Sequence, residues 1–282
     1  MHVLMFGRTG MVATEVARRL PPGLRLTALG RAEADLADPA ACAAAIAAHR
    51  PDAVINAAAW TAVDRAEAAE DAAHTVNAAA PGAMARAAAA LGVPFLHVST
   101  DYVFDGSGTR PWAPGDAPAP VSAYGRSKLA GEVAVRAAGG AHAILRTSWV
   151  FAPHGANFAR TMLRLGRDRG AVRVVADQTG GPTPAAAVAD ALLTMAAGLA
   201  AGRPGGTWHL AGAPDTTWAD FARAIFAAAG MPVTVEDIAT ADWPTPARRP
   251  ANSRLDCTTL ARDWSIPRPD WRAALAEVAA AG

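Results

Sequence analysis

Five short apolar runs, each closing in a loop and followed by an alanine-rich stretch, constrain this chain more than any other feature. The runs are HVLMF (2–6), LRLTAL (24–29), DAVINA (52–57), VPFLHVS (93–99) and HAILRTSWV (142–150). Helical patterns fill the gaps, at roughly 11–20, 39–49, 64–90 and 122–138. Strands that alternate with helices at this spacing form a parallel sheet covered on both faces, with right-handed crossovers. A chain of 282 residues is long for one core and short for two independent ones. The expected fold class is therefore α/β: a doubly wound parallel sheet over residues 1–150, with some later segments returning to it, and a smaller C-terminal lobe made mainly of 151–282. Beyond 150 the alternation loosens. Helices are expected near 157–169, 185–200 and 217–229, strands at 172–175 and 207–211, and two short helices after the Pro/Arg-rich WPTPARRPANS.

The first strand runs into GRTGMVATEV, with Gly7 and Gly10 at the turn. A strand, a glycine turn and a helix N-terminus make a phosphate site, because the backbone approaches closely and free N–H groups face the anion. Ala13 stands where the usual fingerprint has its third glycine, a substitution that the helix–strand packing there accepts. This motif makes the sheet Rossmann-like and the ligand a dinucleotide. The second strand ends in Gly30 and Arg31. A guanidinium suits a 2′-phosphate, which points to NADPH, although Glu33 leaves NADH open.

Lys128 is the only lysine among 26 basic residues, and it follows one of only two tyrosines by four positions, in YGRSK. Residues i and i+4 share a helical face, so Tyr124 and Lys128 point the same way, on a helix that Ser122 is placed to cap. A neighbouring ammonium lowers the pKa of a phenol and makes it a better proton donor at neutral pH. A compact ammonium can also bond a cofactor ribose. A hydroxyl partner is expected at the end of the fourth strand, where Ser99 and Thr100 alternate in direction and periodicity does not choose between them. His97 in the same strand reads as structural. The segment 101–121, rich in Pro, Gly and Asp, is too long for a plain connection and is placed to cover a site.

The near-balanced charge of +1 offers no basis for nucleic acid or a polybasic membrane contact. Cys42 and Cys257 form no disulfide framework or metal spacing, which fits a reducing cytoplasm. The start HVLMFG reads as a strand, so no signal peptide is expected, and Pro, Arg, Asp or Glu interrupts each alanine run before membrane-spanning length.

The set INAAAWTAVDRAE, STDYVFDG, YGRSKLAGE, RTSWVF, NFARTMLRL, DQTGGPTP and PTPARRPANSRL resembles the dTDP-4-dehydrorhamnose reductase family of the extended short-chain dehydrogenase/reductases, over nearly the whole chain. The resemblance implies reduction of the 4-keto group of dTDP-4-dehydro-6-deoxy-L-mannose to dTDP-L-rhamnose with NADPH or NADH. It implies catalytic roles for Thr100, Tyr124 and Lys128. It places Gly10, Met11 and Val12 at the pyrophosphate, Asp35 and Leu36 at the adenine, and Ala59, Trp60 and Thr61 along the cofactor. It sets Thr100, Asp101 and Trp149 at the sugar, and Arg248, Arg249 and Asn252 at the substrate pyrophosphate. Some members form dimers around magnesium. The tail LAEVAAAG carries little acid, so no metal and a monomer or weak homodimer are expected here. Two other readings stand beside this one: a reductase of a different 4-keto deoxysugar nucleotide, and a regulatory subunit that binds NADP without catalysis.

Overall fold

The computed structural model describes residues 1–281. The strands are β1 (His2–Phe6), β2 (Arg25–Leu29), β3 (Ala53–Asn56), β4 (Phe95–Thr100), β5 (His142–Thr147), β6 (Val150–Phe151), β7 (Ala171–Val175), β8 (Thr179–Gly180), β9 (Thr183–Pro184), β10 (Gly206–Leu210), β11 (Thr216–Thr217), β12 (Thr234–Ile238) and β13 (Asn252–Ser253). The α-helices are α1 (Met11–Arg18), α2 (Pro39–His49), α3 (Val63–Glu67), α4 (Glu70–His74), α5 (Ala80–Leu91), α6 (Ala123–Ala137), α7 (Phe158–Asp168), α8 (Ala185–Ala200), α9 (Trp218–Ala228), α10 (Thr258–Trp264) and α11 (Trp271–Ala280).

The main sheet runs β2-β1-β3-β4-β5-β10, and every neighbouring pair in it is parallel. All five residues of β1 are buried, as a strand covered on both faces requires. One face packs on α1, α8 and α10 through Val16, Leu192 and Leu260. The other packs on α2, α5 and α6 through Ile46, Met84 and Val135. After β1 the chain builds β2 on one side, then crosses to β3 on the other. This reversal opens a crevice at the carboxyl ends of β1 and β3, where ligands bind in open α/β sheets. A separate core joins Phe151 of β6, Leu163 of α7, Val172 of β7, Phe221 and Phe226 of α9, Val235 of β12 and Trp271 of α11.

Local chemistry sets the helix ends. Asp38 caps α2 by accepting from Ala41 N–H, with Pro39 in the first turn, and Gly92 closes α5 in the left-handed conformation. Ser122 caps α6 as expected, accepting from Gly125 N–H at 3.1 Å.

Three expectations are revised. The helical pattern at 64–90 is not one helix but α3, α4, a π-helical stretch at Thr75–Ala79, and α5. Pro81 and Gly82 mark the start of α5, and Asn77 in the π-helical stretch bonds both backbone groups of Trp60. The run 142–150 is not one strand: β5 ends at Thr147, and Trp149 takes a left-handed backbone (φ +50°) before β6. The loop 101–121 does not lie across the crevice. Trp112 pairs with Leu255 and stacks on Phe104, so the loop is pinned to the late chain and only Asp101 and Tyr102 reach the crevice wall. Among the described residues no helix is long and apolar enough to cross a membrane, and no three His, Cys, Asp or Glu side chains group as metal ligands.

Candidate active site

The crevice holds a cavity of about 710 Å³. Gly7, Gly10, Met11 and Val12 line it from the β1–α1 turn, Arg31, Asp35 and Leu36 from beyond β2, and Ala59 and Thr61 from beyond β3. Thr100 and Asp101 reach it from β4, Tyr124 and Lys128 from α6, and Trp149 from beyond β5.

The β1–α1 turn fits a dinucleotide pyrophosphate. Gly7 has φ +111° and its Cα faces the Ala57 backbone, so a side chain there is both strained and crowded. A Cβ at Gly10 would stand in open space, at the mouth of a helix whose start carries no side-chain cap and no acid. The first-turn N–H groups of α1 are thus left for an anion. Glu33 is taken: it pairs with Arg8 at 2.8 Å and accepts from Gly30 N–H. The side chain of Arg31 is 88% exposed, with only Asp35 near it at 3.9 Å. That leaves an exposed guanidinium only loosely paired with Asp35, and no free carboxylate on Glu33, at the end of β2, the arrangement that accommodates a 2′-phosphate. Arg8 also lines this end, a residue that the glycine fingerprint alone does not single out.

The α6 face lies close to the end of β4 because Gly125 lacks a side chain. A Cβ there would stand 2.2 Å from the Tyr102 carbonyl oxygen. Thr100 Oγ1 donates to Asp101 Oδ1 at 3.0 Å and accepts from Tyr102 N–H, and Tyr124 lines the cavity beside it. Ser99, the alternative by periodicity, points away and donates to Glu132 at 2.7 Å. Glu132 in turn forms a buried two-bond pair with Arg146, whose other amine bonds the Pro114 carbonyl. This pair ties α6 to β5 and to the 101–121 loop.

The electrostatics differ from the sequence expectation at one point. Burial pushes the Tyr124 phenol above its ordinary value, with the Thr100 hydroxyl pulling it back and the Asp101 charge pushing it further up. The nitrogen of Lys128 is turned to the Val98 carbonyl at 2.7 Å and to His97 at 3.3 Å. Burial lowers Lys128 to about 8, against the opposing pull of Glu132. Burial raises Asp101 to about 6. Asp101 Oδ2 and Thr147 Oγ1 are buried without a protein partner at the cavity wall, which fits a polar ligand there.

Four expected residues do not line the cavity. Trp60 packs in a small cluster with Ala66, Ala73, Ala123 and Tyr124 and bonds the Ala62 carbonyl. Arg249 pairs with Asp64 of α3 at 2.7 Å, fastening the late loop to that helix. Arg248 is exposed on that loop. Asn252 spends its amide on the Ser107 and Arg110 carbonyls, clamping the 101–121 loop. The local motif reports that these residues matter to one another, not which way each faces. Trp149 does face the cavity, and Trp218 stacks behind it at 3.6 Å between ring centres.

A parallel sheet with a phosphate turn at its switch point, and a Tyr/Lys helix beside a threonine hydroxyl, define a Rossmann-type oxidoreductase of the extended short-chain dehydrogenase/reductase class. The model of the RmlD substrate binding domain family matches residues 1–282. The chain belongs to that family. A dTDP-4-dehydrorhamnose reductase from Burkholderia thailandensis is 45% identical over 288 residues, covering 98% of this chain and 97% of the relative. One from Sinorhizobium fredii is 42% identical, covering 96% and 94%. The crystal structure of a dTDP-4-dehydrorhamnose reductase from Bacillus anthracis, in complex with NADP, superposes with a TM-score of 0.91 at 30% identity, covering 98% of each chain. A UDP-glucose 4-epimerase from Brucella ovis, 17% identical with a TM-score of 0.84, shares the fold alone.

Proposed function

We propose that this protein reduces the 4-keto group of dTDP-4-dehydro-6-deoxy-L-mannose to give dTDP-L-rhamnose, with NADPH as the cofactor. The observation that carries the proposal is one continuous cavity that joins the open α1 N-terminus to Thr100, Tyr124, Lys128 and Trp149. Full-length relatives that are named for this reaction support it.

The nicotinamide, when bound, supplies the hydride. Tyr124, kept as a neutral phenol by burial, gives its proton to the sugar oxygen as charge develops there. Thr100 holds that oxygen and orients the phenol. Lys128 bonds the nicotinamide ribose, and its positive charge next to the site offsets the phenolate left behind. Gly10, Met11 and Val12 present N–H groups to the pyrophosphate, Asp35 and Leu36 flank the adenine, and Arg31 faces the 2′-phosphate. Trp149, backed by Trp218, offers an apolar face to the deoxysugar, with Asp101 on a sugar hydroxyl. The nucleotide-sugar lobe is drawn from 151–282, and the enzyme works in the cytoplasm as a monomer or weak homodimer.

Loss of NADPH absorbance that depends on dTDP-4-dehydrorhamnose, together with formation of dTDP-rhamnose, is the expected result. Cofactor binding without turnover on this sugar, but with turnover on a different 4-keto deoxysugar nucleotide, would move the assignment to that substrate.

A further inference from the structure

Behind the cavity, Lys128 meets β4. Its nitrogen donates to the Val98 carbonyl at 2.7 Å and stands 3.3 Å from His97 Nε2. His97 is fully buried, and its Nδ1 lies 3.2 Å from Asn56 Nδ2. The Asn56 amide is oriented from its other side, because its Oδ1 accepts from Ala58 N–H at 3.2 Å. With that oxygen engaged, the amide NH₂ faces His97 Nδ1, which therefore accepts. A neutral imidazole has one ring proton, so that proton sits on Nε2. His97 thus presents an N–H, not a lone pair, to the lysine nitrogen. An ammonium has nothing with which to accept it, whereas a free amine accepts it and still donates to Val98. His97 does not take a second proton, because burial, the larger cause, holds it well below the ordinary histidine value.

We propose that Asn56 and His97 are a buried positioning pair that biases Lys128 toward its free amine until a ligand reaches it from the cavity side. The functional consequence rests on the reading of Lys128 as the ribose-binding residue: the nitrogen that meets the cofactor hydroxyls is then held in place and biased toward the amine from the strand side. The other charged groups around it leave room for such a bias. Glu132, one turn further along α6, favours the ammonium but is already committed to Arg146 and Ser99. Tyr124, one turn earlier, is a neutral phenol. A lysine brought by burial to about 8 lies where one hydrogen bond decides its state near neutrality.

Because Lys128 is the only lysine, protein labelled with ¹³C-lysine gives a single ε-carbon signal, and its titration reads this group directly. The measurement needs neither cofactor nor substrate, so its outcome is independent of the reaction assigned above. His97→Gln places an amide where Nε2 stood, free to turn its oxygen toward the nitrogen. The Lys128 midpoint should rise by about one pH unit in this variant. In the unaltered protein, ¹⁵N spectra of His97 should place the proton on Nε2. A proton on Nδ1, or a midpoint in His97→Gln equal to or below that of the unaltered protein, overturns the proposal. The spectrum of the unaltered protein decides the matter even if the variant does not fold.

Discussion

Asp101 shows how a site residue is held at a cost to the fold. It is 3% exposed, bonded through one oxygen to Thr100, with the other lacking a protein partner. Its folded pKa of about 6 lies above the ordinary 3.8. The folded protein therefore binds the proton more tightly than the unfolded chain. The stability this contributes is complete below about pH 4 and is lost as pH rises through about 6. Asp101→Asn, which cannot ionise, should stabilise the protein by about 3 kcal/mol at pH 8 and by much less near pH 4.5. Denaturant unfolding at the two pH values checks this, and an equal gain at both would contradict it. The same residues show what a sequence conveys at this scale. The Tyr124/Lys128 spacing is legible because it follows from helix geometry. The state of each group is not, since burial decides it: the phenol is raised rather than lowered, and the lysine turns to a strand histidine that reads as structural.

Among the elements, α6 determines the site. It carries both Tyr124 and Lys128, and its approach to the Thr100 turn depends on Gly125. Gly125→Ala puts a methyl carbon 2.2 Å from a backbone oxygen, so the helix shifts away from Thr100. A displacement of about 1 Å costs on the order of 100-fold in turnover. The kcat of this variant should fall by about that factor while circular dichroism stays helical; an unchanged kcat would show that the close approach is not needed. The strands and helices of the main sheet were legible because their apolar runs are long and their ends carry Ser122, Asp38 or Gly92. The two-residue strands β6, β8, β9, β11 and β13 have no periodicity to read. The five-residue β12, at TVEDI, follows the Gly230–Pro232 turn but buries only Val235, too little to stand out as a strand. The late Pro/Arg segment was legible as a motif, yet Arg249 and Asn252 are engaged with Asp64 and with the loop carbonyls. Only tertiary contacts reveal that.

At the scale of the molecule, the reversal of strand order between β1 and β3 puts a phosphate turn beside the Tyr/Lys helix, and Trp149, beyond β5 and stacked on Trp218, reaches the same cavity. Fold, phosphate turn and Tyr/Lys helix all support one proposed chemistry: hydride delivered from a nicotinamide to a sugar carbonyl in this crevice. The most direct measurement uses NADPH deuterated at the transferring position of nicotinamide carbon 4, with dTDP-4-dehydrorhamnose as the acceptor. Mass and NMR spectra of the product should show one deuterium on carbon 4 of the rhamnose ring, with none transferred when Tyr124→Phe replaces the native protein at the same concentration and time. NADPH consumed without deuterium in the sugar, or label transferred equally by the Tyr124→Phe variant, would contradict the account.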